Sequence, residues 1–217
     1  MVVVVLAGCG ASRATTSDTS TSKAVRALRT DLRSADDAQL RADDFPAGWK
    51  PRRQTSLTRG RCGIRTAADA AVAQSQSLNF TRGNASAEST VYVYSTEATA
   101  THWFDKLTSR AARECLPGGI KAAQQAAFRG LRYRKVGTAP MPMAPLGKQR
   151  AADQFIFLVT NQKNGRGAVT PIDLEFVRVD RGLEILLFAD VLNPFPEDIA
   201  GHVAKRVTAR LAAGLAG

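Results

Sequence analysis

The chain has 217 residues, and its 30 Lys and Arg against 19 Asp and Glu give a formal charge of +11 and a pI near 10.2. With a signal-like N-terminal segment set aside, about 180 residues remain, the size of one domain with its own core. No later run approaches the ~18 consecutive apolar residues of a membrane-crossing helix; the longest strongly apolar stretch, 183–192, already carries Glu184 and Asp190.

The N-terminus reads as an address. Residues 2–7 are apolar and lead into Leu6-Ala7-Gly8-Cys9, with small residues around the cysteine as at a signal cleavage point. That order resembles the lipobox of bacterial lipoproteins. The resemblance implies cleavage before Cys9 and a diacylglyceryl group on its sulfur. The protein would then sit on the outer face of the cell membrane, since two acyl chains anchor stably where one does not. The apolar run is short and no Lys or Arg precedes it, so the translation start is expected upstream and 1–8 is the remnant of a signal peptide. Residues 9–22, rich in Ser, Thr, Ala and Gly, are expected to form a flexible tether behind the lipidated Cys9. Residues 23–39, with Val25, Leu28 and Leu32 at helical spacing, read as a helical stalk. Residues 40–217 are assigned to a single α+β domain.

Within the domain, Phe45 is held extended before Pro46, and a turn then brings Trp49 to pack with it at the domain entry. Residues 50–57 are expected to be a strand. A helix follows from Thr66, with Asp69 at its third position. The segments 74–82 and 87–95 read as a hairpin turning at Gly83-Asn84. Thr96 caps a long helix over 97–115, whose stripe Ala100, Trp103, Phe104, Leu107 and Ala111 faces the core. Pro117-Gly118-Gly119 is expected to break it, with 120–128 resuming. A strand at 130–138 leads into a Pro-rich loop over 139–147 with two exposed methionines, read as a connector or as a mobile rim around a pocket. Strands at 152–161, 168–180 and 183–190 turn at 164–167 and 180–182 into an antiparallel meander. Phe155-Ile156-Phe157-Leu158-Val159, apolar on both faces, is expected at the centre of the sheet. Pro194 opens a C-terminal amphipathic helix that buries Ile199, Val203, Val207 and Leu211 and turns Lys205, Arg206 and Arg210 outward. The fold class is α+β: a mostly antiparallel, twisted sheet with helices packed on it.

Three cysteines are present. With Cys9 lipidated, Cys62 and Cys115 remain, and export puts both where a pair becomes a disulfide. A metal site would need more ligands than two cysteines and two separated histidines supply, so neither metal nor cofactor is expected. The basic charge is uneven. No acid lies between Asp44 and Asp69 or between Glu114 and Asp153. Lys50, Arg52, Arg53, Arg129, Arg132 and Arg134 are therefore candidates for one anion-binding face. Outside a cell, the anions such a face meets are lipid headgroups and envelope polymers; nucleic acid is not expected as a partner.

No Gly-rich phosphate loop, metal-ligand cluster or Gly-x-Ser-x-Gly elbow is present. His102 and His202 read as structural, because a triad would need a Ser or Cys beside one of them. Asp43-Asp44 reads as loop solvation and Glu197-Asp198 as charge at a helix N-terminus. Over about residues 40 to 215, the succession of tether, α+β domain, disulfide and final helix resembles the extracellular sensor-type domains appended to membrane serine/threonine kinases of actinobacteria. Those domains often carry two disulfides where this chain has one. The resemblance implies a non-enzymatic binding or sensor-like domain for a small molecule, lipid or envelope component. An exported hydrolase with a site not visible in sequence, and a structural envelope protein, are the alternatives.

Overall fold

The computed structural model describes residues 17–53, 62–127, 129–191 and 193–217; Cys9 and most of the tether lie outside them. Helix α1 spans Ser17–Asp37 and is followed by a 3-10 turn at Ala42–Asp44. Then come β1 (Lys50–Arg52), α2 (Ile64–Asp69), β2 (Ala73–Gln76), β3 (Asn79–Arg82), β4 (Ala85–Val93), α3 (Glu97–Leu107) and α4 (Arg110–Ala127). The chain closes with β5 (Leu131–Pro140), β6 (Gln149–Asn161), β7 (Gly167–Val179), β8 (Gly182–Asp190) and α5 (Glu197–Ala216).

The strands form one eight-stranded sheet in the order β1-β3-β4-β8-β7-β6-β5, with β2 paired to β4 beside β3. Every pairing is antiparallel. Helices cover both faces, giving two apolar cores, and the alternation of β4 and β8 divides between them. Tyr92, Leu183, Ile185 and Leu187 join Trp103, Phe104, Leu107, Leu116 and Ile120 of α3 and α4. Val91, Val93, Leu186 and Phe188 join Ala35 and Ala38 at the end of α1 and Val203, Val207 and Leu211 of α5. Each fully buried Leu, Ile or Phe contributes on the order of 1.5–3 kcal/mol. Phe45 stacks on Trp49 at 4.7 Å and on Phe80 at 5.1 Å, so the entry aromatics pack as read from the sequence.

Several expectations are corrected. The centre of the sheet is β4-β8-β7; β6 lies next to the edge, and its Ile156 and Leu158 are only half-buried. The helix expected over 97–115 is two helices. Thr108 Oγ1 donates to Phe104 O at 2.9 Å and Ser109 Oγ to Lys106 O at 2.7 Å, ending α3, while Ser109 Oγ accepts from Ala112 N at 3.3 Å and starts α4. Those hydroxyls compete for the backbone groups of a continuous helix. Pro117 sits inside α4 without ending it. The segment 74–82 divides into β2 and β3, both edging β4. Helix α1 begins at Ser17, within the expected tether, and its last turns belong to the core instead of standing clear as a stalk. Helix α2 starts at Ile64 after Gly63, and α5 after Pro196.

Two polar features underlie α5. Glu184 of β8 is fully buried, and its Oε2 accepts from Thr208 Oγ1 at 3.3 Å. Burial, reinforced by the charge of Glu175, pushes its carboxyl well above the usual range. Asp44, expected as a solvated loop acid, is 1% exposed. It is gripped by Arg210, whose Nη1 and Nη2 donate to its two oxygens at 2.8 and 2.7 Å. Arg206 Nε stands 2.9 Å from the same carboxylate. Arg206 and Arg210 therefore fold back on the 3-10 turn and do not point away from it, because the buried carboxylate needs their charge.

Candidate functional site

The disulfide Cys62–Cys115 ties the turn before α2 to the middle of α4, with a Cα–Cα distance of 5.5 Å. Cys62 and Gly63 are both left-handed, with φ of 67° and 84°. Glycine takes such a conformation freely, but at Cys62 it is strained. Beneath this turn, against the sheet, lies a cavity of about 30 Å3. Ile64, Leu116, Ile120, Leu174, Ile185 and Leu187 supply apolar wall, with Cys62 and Gly119 completing it. Glu88 and Thr90, neighbours on one face of β4 and both buried, supply the polar side.

A carboxylate and a hydroxyl set in an apolar wall can hold a hydrogen-bond donor that carries an apolar body. At about 30 Å3 the cavity admits a small group, since a water needs roughly 10–15 Å3 on this measure. Its α4 wall is the pliable one. Pro117 has no N–H to give Arg113 O, and Gly118 and Gly119 each cost about 1 kcal/mol of helix propensity relative to Ala. Added methyl groups at these two glycines would meet no atom within 4 Å, so close packing is not what requires glycine there.

Among the described residues, neither histidine is seen in a hydrogen bond with a hydroxyl or an acid. His202 borders an open groove of about 380 Å3 with Asp43, Asp44, Phe45, Pro46, Asp198 and Ile199. This groove joins an imidazole to acids, but no Ser, Thr or Cys lines it. His102 is exposed and meets the edge of Trp103 at 5.3 Å. Among the described residues, no group of three or more His, Cys, Asp or Glu is arranged to hold a metal. No described helix is long and apolar enough to cross a membrane.

The six cations expected to share a face are separated. Lys50 and Arg52 lie on β1 with Arg53 just beyond, whereas Arg132 and Arg134 lie on β5 with Arg129 just before it; all six are exposed. β1 and β5 are the opposite edges of the sheet, six strand spacings apart, or roughly 29 Å at the usual interstrand distance. The meander adds each strand outward from β8, which carries the second window away from the first. Other cations of that window are engaged in ion pairs: Lys148 with Glu97 at 3.1 Å and Asp180 at 2.9 Å, and Arg150 with Glu175 at 2.6 Å. The Pro-rich segment does not border the cavity. Its methionines are half-buried, and it is held by Met141 N to Ala152 O at 2.9 Å and Arg150 Nη1 to Ala144 O at 2.8 Å.

No protein-family model matches the chain, and no curated protein does. Among solved structures, the chain is similar to the extracellular domain of PknH from Mycobacterium tuberculosis, with a TM-score of 0.47 and 8% identity. That similarity covers 84% of this chain and 96% of the other.

Proposed function

We propose that this chain is an extracytoplasmic lipoprotein, diacylated at Cys9, whose domain binds a small amine-bearing apolar molecule without turning it over. The observation that carries the reading is the cavity walled by Cys62 and lined by Glu88 and Thr90. A disulfide is the cross-link of an exported protein, and it supports the lipobox resemblance at Leu6-Ala7-Gly8-Cys9. Glu88 and Thr90 would accept hydrogen bonds from the amine, beside the contact Glu88 already makes within the chain, and the α4 segment Pro117-Gly118-Gly119 would give way to admit the alkyl part.

The test for binding is a thermal titration of the oxidised protein with a series of primary alkylamines. A saturable rise in Tm is expected, corresponding to about 2.7 kcal/mol at a hundredfold excess over Kd, and it should be absent in Glu88→Gln. No rise, or an equal rise in the variant, overturns the cavity as the site. The anchor is tested by the intact mass of membrane-fraction protein from the native host. A diacylglyceryl adduct on a chain starting at Cys9 is expected; an unmodified Cys9 removes the anchor.

A further inference from the structure

Among the described residues, three of the exposed large hydrophobic side chains lie on α1. Val25, Leu28 and Leu32 are 44%, 45% and 41% exposed. Their spacing puts them along one line of the helix. Lys23, Arg26, Arg29 and Arg33 are exposed on the same helix. Its acids in this part are engaged elsewhere: Asp31 with Arg181, Asp36 as acceptor from Ser75 Oγ, and Asp37 with Arg41 at 3.0 Å. The outward side of α1 therefore offers solvent the line Val25, Leu28 and Leu32 with Arg29 and Arg33 along one side of it, while Lys23 and Arg26 lie further round the helix, at a groove shared with Asp31 and Arg181.

The helix cannot roll to hide that line. Its opposite side is fixed by Ser34, whose Oγ donates to Gly214 O at 2.8 Å. The contact with α5 is so close that a Cβ at Gly214 would come within 2.9 Å of Ser34 Cβ. Ala35 and Ala38 are buried on the same side.

We infer that the Val25–Leu28–Leu32 face of α1 lies on an anionic lipid surface, with the aliphatic side chains in the headgroup boundary and Arg29 and Arg33, beside them on the helix, among the lipid phosphates. A basic amphipathic face of this kind is the one that interfacial helices use. The inference rests in part on the lipid-anchor reading. Cys9 is eight positions before Ser17, so the intervening chain spans at most about 29 Å. An acylated Cys9 would hold α1 within that reach of the bilayer, where no separate encounter is needed. A second copy of the chain is a poorer occupant, since pairing two such faces brings Arg29 and Arg33 of one copy against those of the other.

The test uses the full chain as Cys9→Ser, which cannot be acylated, in flotation with phosphatidylcholine vesicles and with vesicles of equal phosphatidylcholine and phosphatidylglycerol. Binding to the anionic vesicles alone is expected, weakening with salt. Leu28→Ser/Leu32→Ser and Arg29→Gln/Arg33→Gln should each weaken it by about tenfold or more. All four residues are exposed, so Tm should stay at the Cys9→Ser value and show that the fold is retained. No binding by Cys9→Ser, or binding that neither double variant changes, overturns the inference. So does a concentration-dependent dimer lost with Leu28→Ser/Leu32→Ser. Failure here with a diacylated native Cys9 leaves the anchor standing, whereas vesicle binding with an unmodified native Cys9 removes the anchor alone.

Discussion

Replacing Cys62 and Cys115 together by serine is expected to lower stability by about 4 kcal/mol. The two residues are separated by 53 positions, and the segment they close contains β2, β3, β4 and α3. Cross-linking a loop of that length removes closure entropy from the unfolded chain, and the loss grows only slowly with length. A local effect opposes part of this loss. Cys62 is held at φ 67°, a conformation that costs an L-residue roughly 1–2 kcal/mol, and without the bond to α4 the turn can relax out of it. Urea titration of the oxidised chain, the reduced chain and the double variant measures the effect. The reduced chain and the double variant should coincide, both well below the oxidised chain. The turn before α2 should loosen first, and with it the response to alkylamines, because Cys62 is part of the cavity wall. A shift of less than ~1 kcal/mol would mean that the unfolded chain already holds these segments together.

The elements readable from sequence are those whose signals are local. The turn at Gly83-Asn84 and the turn before Gly182 join the strands they were expected to join, because alternation and turn residues sit within a few positions of each other. Trp103, Phe104 and Leu107 are buried in the stripe their spacing indicates. Strand order is another matter. Phe155-Ile156-Phe157-Leu158-Val159 is apolar enough for a central strand, but which strand is central depends on β8 pairing with β4, across about ninety residues of chain with no local signal. Pro117-Gly118-Gly119 carries the strongest helix-breaking signal in this stretch, so the break between α3 and α4 is expected there. It falls instead at Thr108 and Ser109, whose hydroxyls take backbone partners, while Leu116 and Ile120 pack α4 onto the sheet on either side of the proline. The site divides in the same way. Counting cysteines paired Cys62 with Cys115, but Glu88 and Thr90 face the cavity only because β4 lies under α2 and α4. The basic windows show the converse: among the described residues, Lys50 and Arg52 on β1 and Arg132 and Arg134 on β5 sit at opposite edges of the sheet.

Asp44→Ala is expected to cost about 3–5 kcal/mol, the range for removing one partner of a buried ion pair. The loss goes beyond the bonds themselves. Arg210, with its side chain 19% exposed, would keep its charge with Gln39 O, at 2.7 Å, as its remaining hydrogen-bond acceptor among the described residues. The backbone N–H of Arg41 would lose its acceptor at 2.8 Å. The turn that these bonds clamp leads directly to Phe45 and Trp49 in the second core, so the loss should spread into packing. Arg210→Ala should cost less, because Arg206 remains 2.9 Å from the carboxylate. A double-mutant cycle then isolates the pair. The pH dependence gives an independent sign. Burial pushes the Asp44 carboxyl up, but the hydrogen bonds from Arg210 and Arg41 and the charges of Arg210 and Arg206 outweigh it and hold it below its usual value of 3.8. A carboxyl depressed in the folded state stabilises fully above its unfolded value and loses that contribution as pH falls through the folded one. The gap between wild type and Asp44→Asn in urea titrations should therefore be full at neutral pH and should narrow below pH 3.8. A gap that stays constant through the acid range would show that the cost is lost shape at the turn and not lost charge.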